Sequence, residues 1–237
     1  INKMKKILSL LSIVVLISCG ETNSQVVQNI KAEKFQEFSA LNDGIIIDVR
    51  TAAEFNSGHI KDATNIDFYA IDFTDKLKIV RKDVPIYVYC RSGGRSSSAA
   101  KKMEELGFSK VYNMLGGIGS WNSKGFKTIQ SKGQKVSKLP KFSVSEVEDI
   151  LNSNETVLID FSTQWCVPCK KMKPIIDEIK SENDNVKVLF IDADANKELV
   201  AKYKIQGVPV FIAFKNSEET YRKVGIVSKE ELLENLN

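Results

Sequence analysis

Three cysteines sit where thiol chemistry is expected, and their neighbours indicate which kind. The segment Cys90-Arg91-Ser92-Gly93-Gly94-Arg95-Ser96 follows the apolar run Ile86-Tyr87-Val88-Tyr89 and leads into a helical pattern. Two adjacent glycines let the backbone curl so that successive N–H groups converge, and the helix start adds positive potential. A thiol at the mouth of such a nest loses its proton easily and becomes a nucleophile, with Arg91 and Arg95 adding attraction for an anion. The second pair lies in Trp165-Cys166-Val167-Pro168-Cys169-Lys170. Spacing of i and i+3 at the start of a helix brings the two sulfurs within disulfide reach. The helix N-terminus favours the thiolate of Cys166, which makes it the attacking group and Cys169 the resolving one. No metal site is expected: no second Cys or His pair completes a zinc centre, and the single histidine, His59, cannot serve a relay that needs two.

Alternating strands and helices must hold these thiols. Ile45 to Val49 and Ile86 to Tyr89 are apolar runs of buried-strand length, and Val111-Tyr112 is a shorter one. A helix fits Ser96 to Leu106, with Ala99, Ala100, Met103 and Leu106 on one face and Gly107 as its stop. The pattern lapses between residues 129 and 141, where Ser131 to Leu139 carries three lysines and no acid; this reads as a basic linker. It restarts with a capping-box spacing, Ser143-x-x-Glu146, and strands are expected at Val157–Phe161, Val188–Ile191, Val210–Phe214 and Tyr221–Val224. Helices are expected at 167–180 and 196–203, with a last one capped by Ser228. The class is α/β, in two domains, each with its own core.

The N-terminus reads as a processing signal. Met4-Lys5-Lys6 precedes the apolar run Ile7 to Ile17, which is about half the roughly 20 residues a spanning helix needs. Leu16-Ile17-Ser18-Cys19-Gly20 resembles the bacterial lipobox, so residues 1–18 are expected to be cleaved and Cys19 acylated, with 19–25 as a tether. The formal charge of +4 loses Lys3, Lys5 and Lys6 with that segment, leaving 31 basic against 30 acidic groups and no argument for nucleic acid.

Residues 26–128 resemble a rhodanese, or sulfurtransferase, domain. The likeness rests on Asp48-Val49-Arg50, then Glu54-x-x-x-Gly58-His59-Ile60-x-x-Ala63, the Cys90 loop, and Leu115-Gly116-Gly117-Ile118 before Trp121. It implies a doubly wound parallel sheet, a persulfide carried on Cys90, loop residues 91–96 around the substrate, and Asp48 and Arg50 as buttresses of the active loop, with His59 mainly structural. Phosphatases of similar fold use Cys-x5-Arg; here four residues intervene and position 96 is Ser, a smaller ring that suits a sulfane sulfur rather than a phosphate. Residues 142–237 resemble thioredoxin through Asp160-Phe161-x-x-x-Trp165-Cys-x-Pro-Cys-Lys and Gly207-Val208-Pro209. That likeness implies a mixed sheet flanked by helices, a redox-active Cys166/Cys169 pair, a cis Pro209 facing it, and a buried Asp160 that handles the proton of the resolving thiol. Phe190 stands where a lysine often pairs with that Asp.

The N-terminal segment and the two resemblances together imply a lipid-anchored enzyme of the bacterial cell envelope, facing the periplasm or exterior, with no cofactor. Cys90 takes sulfane sulfur from a thiosulfate or persulfide donor. The dithiol reduces the persulfide with release of sulfide, and a thiol/disulfide protein partner re-reduces it. The alternative is a general envelope dithiol reductase whose rhodanese half only docks clients. Transfer in series within one chain requires that the two sites can face each other.

Overall fold

The computed structural model describes residues 25–130 and 140–236. The expected signal peptide, Cys19 and most of the basic linker lie outside the described residues. Strands β1 (Val27–Ile30), β2 (Ile45–Asp48), β3 (Thr64–Asn65), β4 (Ile86–Tyr89) and β5 (Val111–Met114) form one parallel sheet in the order β1-β5-β4-β2-β3. All four residues of β4 are buried, because helices cover both faces and successive side chains point to opposite sides. Tyr87 and Tyr89 pack with Phe35 of α1 (Ala32–Ser39) and Trp121 of α5 (Gly117–Ser123). Ile86, Val88 and Cys90 pack with Leu77 of α3 (Phe73–Lys78) and Ala99 and Met103 of α4 (Gly94–Glu105). A short α2 (Ala52–Ser57) opens with a Thr51–Glu54 capping box.

The second sheet orders its strands β7-β6-β8-β9, from β6 (Thr156–Ser162), β7 (Val186–Asp192), β8 (Val210–Lys215) and β9 (Glu218–Val224). β6 runs parallel to β7 and antiparallel to β8, and all seven of its residues are buried. Helices α6 (Val144–Asn152), α7 (Val167–Glu182), α8 (Lys197–Lys202) and α9 (Lys229–Leu236) flank it. The Ser143–Glu146 box forms as the spacing predicts, satisfying helix-end donors that together stabilise α6 by about 1 kcal/mol. Ile129, expected to begin the linker, instead pairs with His59 through two backbone hydrogen bonds of 2.8 and 2.9 Å, so the first domain runs to at least that residue. No helix among the described residues is long and apolar enough to cross a membrane.

The domains pack together. Trp165 lies against apolar residues of both cores, and Ile79, just after α3, is buried among side chains of the second domain. The Val208 N–H donates to the Ile79 carbonyl (3.1 Å) and the Val167 N–H to Thr64 Oγ1 (3.3 Å). Lys171 and Asp62 form a half-exposed ion pair at the rim.

Candidate functional site

Cys90 leaves the C-terminal end of β4 and is 1% exposed. Gly93 adopts a left-handed backbone (φ 105°) and turns its N–H onto the sulfur at 3.1 Å. The loop carbonyls are taken up from across the sheet: Ile118 N–H donates to Cys90 O (2.8 Å) and Gly119 N–H to Arg91 O (3.1 Å). Gly117 (φ 54°) must be glycine there, since a Cβ would run into the Cys90 carbonyl. Burial pushes the Cys90 thiol up, but the Ser96 hydroxyl and the amides of Ser96, Gly93 and Ser92 outweigh it and leave the pKa below its ordinary value. Ser96 is wholly buried, while Arg91, Ser92 and Gly94 are exposed at the mouth.

Arg95 does not serve as a free anion attractor. Both its terminal nitrogens donate to Glu54 at 2.7 Å, and its guanidinium lies 5.6 Å from the Tyr69 ring. The Arg95 hydrogen bond holds the Glu54 carboxyl at about 2, against the cost of burial and with help from Thr51. The pair ties α4 to α2 and matches charge with charge; among the described residues Arg91 has no ion-pair partner. Spacing alone could not show this partner, which lies 41 residues away.

Asp48 and Arg50 form a buried ion pair (Nε–Oδ1 2.9 Å, Nη2–Oδ2 2.6 Å), and Arg50 also donates to the Gly58 carbonyl at 2.8 Å. They brace the Gly58–His59 turn and, through Asn65, the edge strand β3. Their route to the active loop is Tyr89, whose ring sits 5.7 Å from the Arg50 guanidinium and whose hydroxyl accepts the Ile60 N–H. His59 stacks on Phe55 (3.7 Å between centroids), with Nδ1 3.0 Å from the Phe55 carbonyl, and burial lowers its pKa.

In the second domain Cys166 and Cys169 are joined as a disulfide, with Cys166 at the N-cap of α7. The Cys169 N–H donates to Cys166 Sγ at 3.1 Å, the contact that would hold a thiolate there after reduction. Trp165 is fixed by its indole N–H on Asp194 (2.6 Å). The Val208–Pro209 peptide is cis. Asp160, in β6, is 3% exposed, its Oδ1 has no partner among the described residues, and burial raises its pKa to about 7. Phe190 is its register neighbour in β7, so the compensating cation comes instead from α7: Lys173 sits 4.8 Å from the Phe190 ring and is the foremost charge lowering Asp160.

Cys90 and the dithiol belong to different core clusters, and Trp165 packs against both. The dithiol packs by Ile45, Thr64 and Val80, on the β3 side of the first domain, whereas Cys90 follows β4. No cluster of metal-ligating side chains occurs among the described residues.

Comparison with known proteins finds two family models. Residues 138–237 match thioredoxin and residues 15–124 match the rhodanese-like domain. The thioredoxin of Rickettsia bellii (strain RML369-C) is 42% identical over 91 residues, 38% of this chain and 87% of its own length. The thioredoxin of Buchnera aphidicola subsp. Baizongia pistaciae (strain Bp) is 42% identical over 89 residues, 37% of this chain and 82% of its own. Among solved structures, a mutant thioredoxin from Halobacterium salinarum aligns with 44% of this chain and 93% of its own, at 27% identity and TM-score 0.38.

Proposed function

We propose, from the premise that this chain belongs to the thioredoxin family and carries a rhodanese-like domain ahead of its thioredoxin domain, that it couples sulfur transfer to dithiol reduction. The observation that carries the reading is the Cys90 nest. Hydrogen bonds from Gly93 and Ser96 lower the thiol pKa, while the loop arginine that a phosphate cradle would need is tied to Glu54. The Cys90 thiolate attacks the sulfane sulfur of thiosulfate, breaking its S–S bond, with sulfite leaving and a persulfide remaining on Cys90. The Cys166 thiolate then attacks the outer sulfur and returns Cys90 as a thiolate. Cys169 attacks Cys166, hydrosulfide leaves, and the disulfide forms. Asp160 takes the proton of the Cys169 thiol, and Pro209 lines the approach. Arg91 attracts the anionic donor, and loop residues Ser92, Gly93, Gly94 and Ser96 surround its sulfur. Asp48 and Arg50 act through Tyr89 as positioning residues. Because Cys166 is 2% exposed in the docked arrangement, the handover requires its thiolate to be brought to the outer sulfur on Cys90, within one chain or between two.

A second reading, in which the first domain only governs access to a general dithiol reductase, draws on its packing against Trp165 and Cys166. Incubation of wild type, Cys90→Ser and Cys166→Ser with thiosulfate separates the two. The coupled reading expects the mass of one added sulfur on the Cys90 peptide, persisting in Cys166→Ser and absent from Cys90→Ser. No added sulfur on any cysteine would favour the second reading. We further propose that Cys19 anchors the chain to an envelope membrane, where two acyl chains on one residue suffice for stable attachment. Metabolic lipid labelling that is equal in wild type and Cys19→Ala would remove this anchor.

A further inference from the structure

The dithiol is closed off by the other domain. Cys166 is 2% and Cys169 5% exposed. Ile45, Thr64 and Val80 of the first domain meet Trp165, Cys166, Pro168 and Val208 of the second, and the space left among them is about 10 Å³, no more than one water. The contact is specific as well as close. The Val208 amide, next to the cis peptide, is held by the Ile79 carbonyl, and the Val167 amide, next to Cys166, by Thr64 Oγ1. Arg81 lies across Gly207 and Gly225, where side chains would collide with it. Two backbone donors flanking the redox pair are therefore satisfied by the neighbouring domain.

We propose that the face formed by Ile45, Thr64 and residues 79–81 is an intramolecular cap on the dithiol, and that undocking of this face gates access of disulfide partners to Cys166. A partner sulfur must reach Cys166 within bonding distance and along the S–S axis, and a one-water space admits none. The cap can release: its polar contacts among the described residues include two hydrogen bonds and an ion pair whose members are 48% and 36% exposed, a kind of surface pair that holds weakly. Any partner that binds only the undocked form draws the equilibrium towards it. The rim of the Cys90 loop faces solvent through Arg91, Ser92 and Gly94, although Cys90 itself is 1% exposed, and the cap acts on Cys166. The inference rests on the dithiol being redox-active and not on sulfur transfer at Cys90.

Two substitutions on opposite sides of the contact test it in the full chain. Gly207→Ala would place a Cβ 2.8 Å from Arg81 Cγ and 3.0 Å from Arg81 Cα, at a position that is not left-handed and so carries no strain within its own domain. Thr64→Gln puts a larger neutral side chain under Val167 from the first domain. After reduction with dithiothreitol, the rates of iodoacetamide alkylation at Cys166 and Cys90 are followed by mass spectrometry, together with amide exchange at Val208. Both variants should raise Cys166 alkylation and Val208 exchange about tenfold or more, the factor by which the open fraction grows, and leave sulfur loading of Cys90 unchanged. Wild-type Cys166 reacting as fast as in both variants, or an unprotected Val208 amide in the wild type, would overturn the cap. Loss of Cys90 loading alone would count against the sulfurtransferase reading and leave the cap standing.

Discussion

Replacing Asp160 by Asn should stabilise the oxidised thioredoxin domain at alkaline pH and do almost nothing at acid pH. The carboxyl is 3% exposed with one oxygen unpartnered, and its pKa rises from 3.8 to about 7. Between those values the folded chain keeps a proton that the unfolded chain gives up, so stability falls as pH rises through the window and levels off above it. A rise of this size, at 1.36 kcal/mol per pKa unit, sets a ceiling of about 4 kcal/mol, and relaxation around the charge trims it to about 2–4 kcal/mol. Asn keeps the volume and the unpartnered oxygen but cannot ionise. Urea unfolding from pH 4 to pH 9, followed by Trp165 fluorescence in a Trp121→Phe background, reports the transition of this domain together with the face docked on it. The gain of Asp160→Asn over wild type should grow from near zero at pH 4 to its full value above pH 7. A gain that does not vary with pH, or a variant less stable than wild type at pH 9, refutes the assignment of a raised pKa to this carboxyl. The same proton, held at neutral pH beside the core, is what would make Asp160 competent to exchange with the resolving thiol.

Two further predictions concern the first domain. Ser96→Ala removes a hydroxyl that lowers the Cys90 pKa, so the midpoint of the alkylation pH profile should move up; an unmoved midpoint would mean that the amides alone set it. Glu54→Gln should cost about 1–2 kcal/mol at pH 7 in urea unfolding, after allowing for solvent screening of a side chain 28% exposed. Because the Glu54 pKa is depressed to about 2, that cost should be full above pH 4.5 and shrink as the pH falls towards 2; a cost equal at pH 7 and pH 3 contradicts it.

The readable parts of this chain were those governed by local physics. β4 and β6 announce themselves as apolar runs because every side chain in them is buried. The Ser143–Glu146 box is a contact within one helical turn. The Thr51–Glu54 box has the same spacing, but α2 buries no residue, so no apolar period marks it as a helix. β3 has two residues and α5 opens on two glycines, which gives neither a periodicity to read. Helix α4 starts at Gly94, two residues before the expected Ser96, because left-handed Gly93 serves as its N-cap. The cysteines were legible by spacing, whereas the partner of Arg95, the cation near Asp160 and the packing of Ile79 on Val208 depend on surfaces that meet only after folding. Whether the two sulfur sites can face each other, the condition for transfer in series, is not legible in the sequence, since domain docking is set by patches no single segment encodes.

The coupling of sulfur transfer to dithiol oxidation is tested most directly by a single turnover. The full chain is reduced, freed of reductant and given one equivalent of thiosulfate, and sulfide and the Cys166–Cys169 disulfide are measured together over time. The account predicts that sulfide and disulfide appear one for one, that Cys90→Ser yields neither, and that Cys169→Ser stalls with sulfur or a mixed disulfide held on Cys166. Sulfide released at the wild-type rate by Cys90→Ser, or a lasting Cys90 persulfide beside a dithiol that stays reduced, would contradict it.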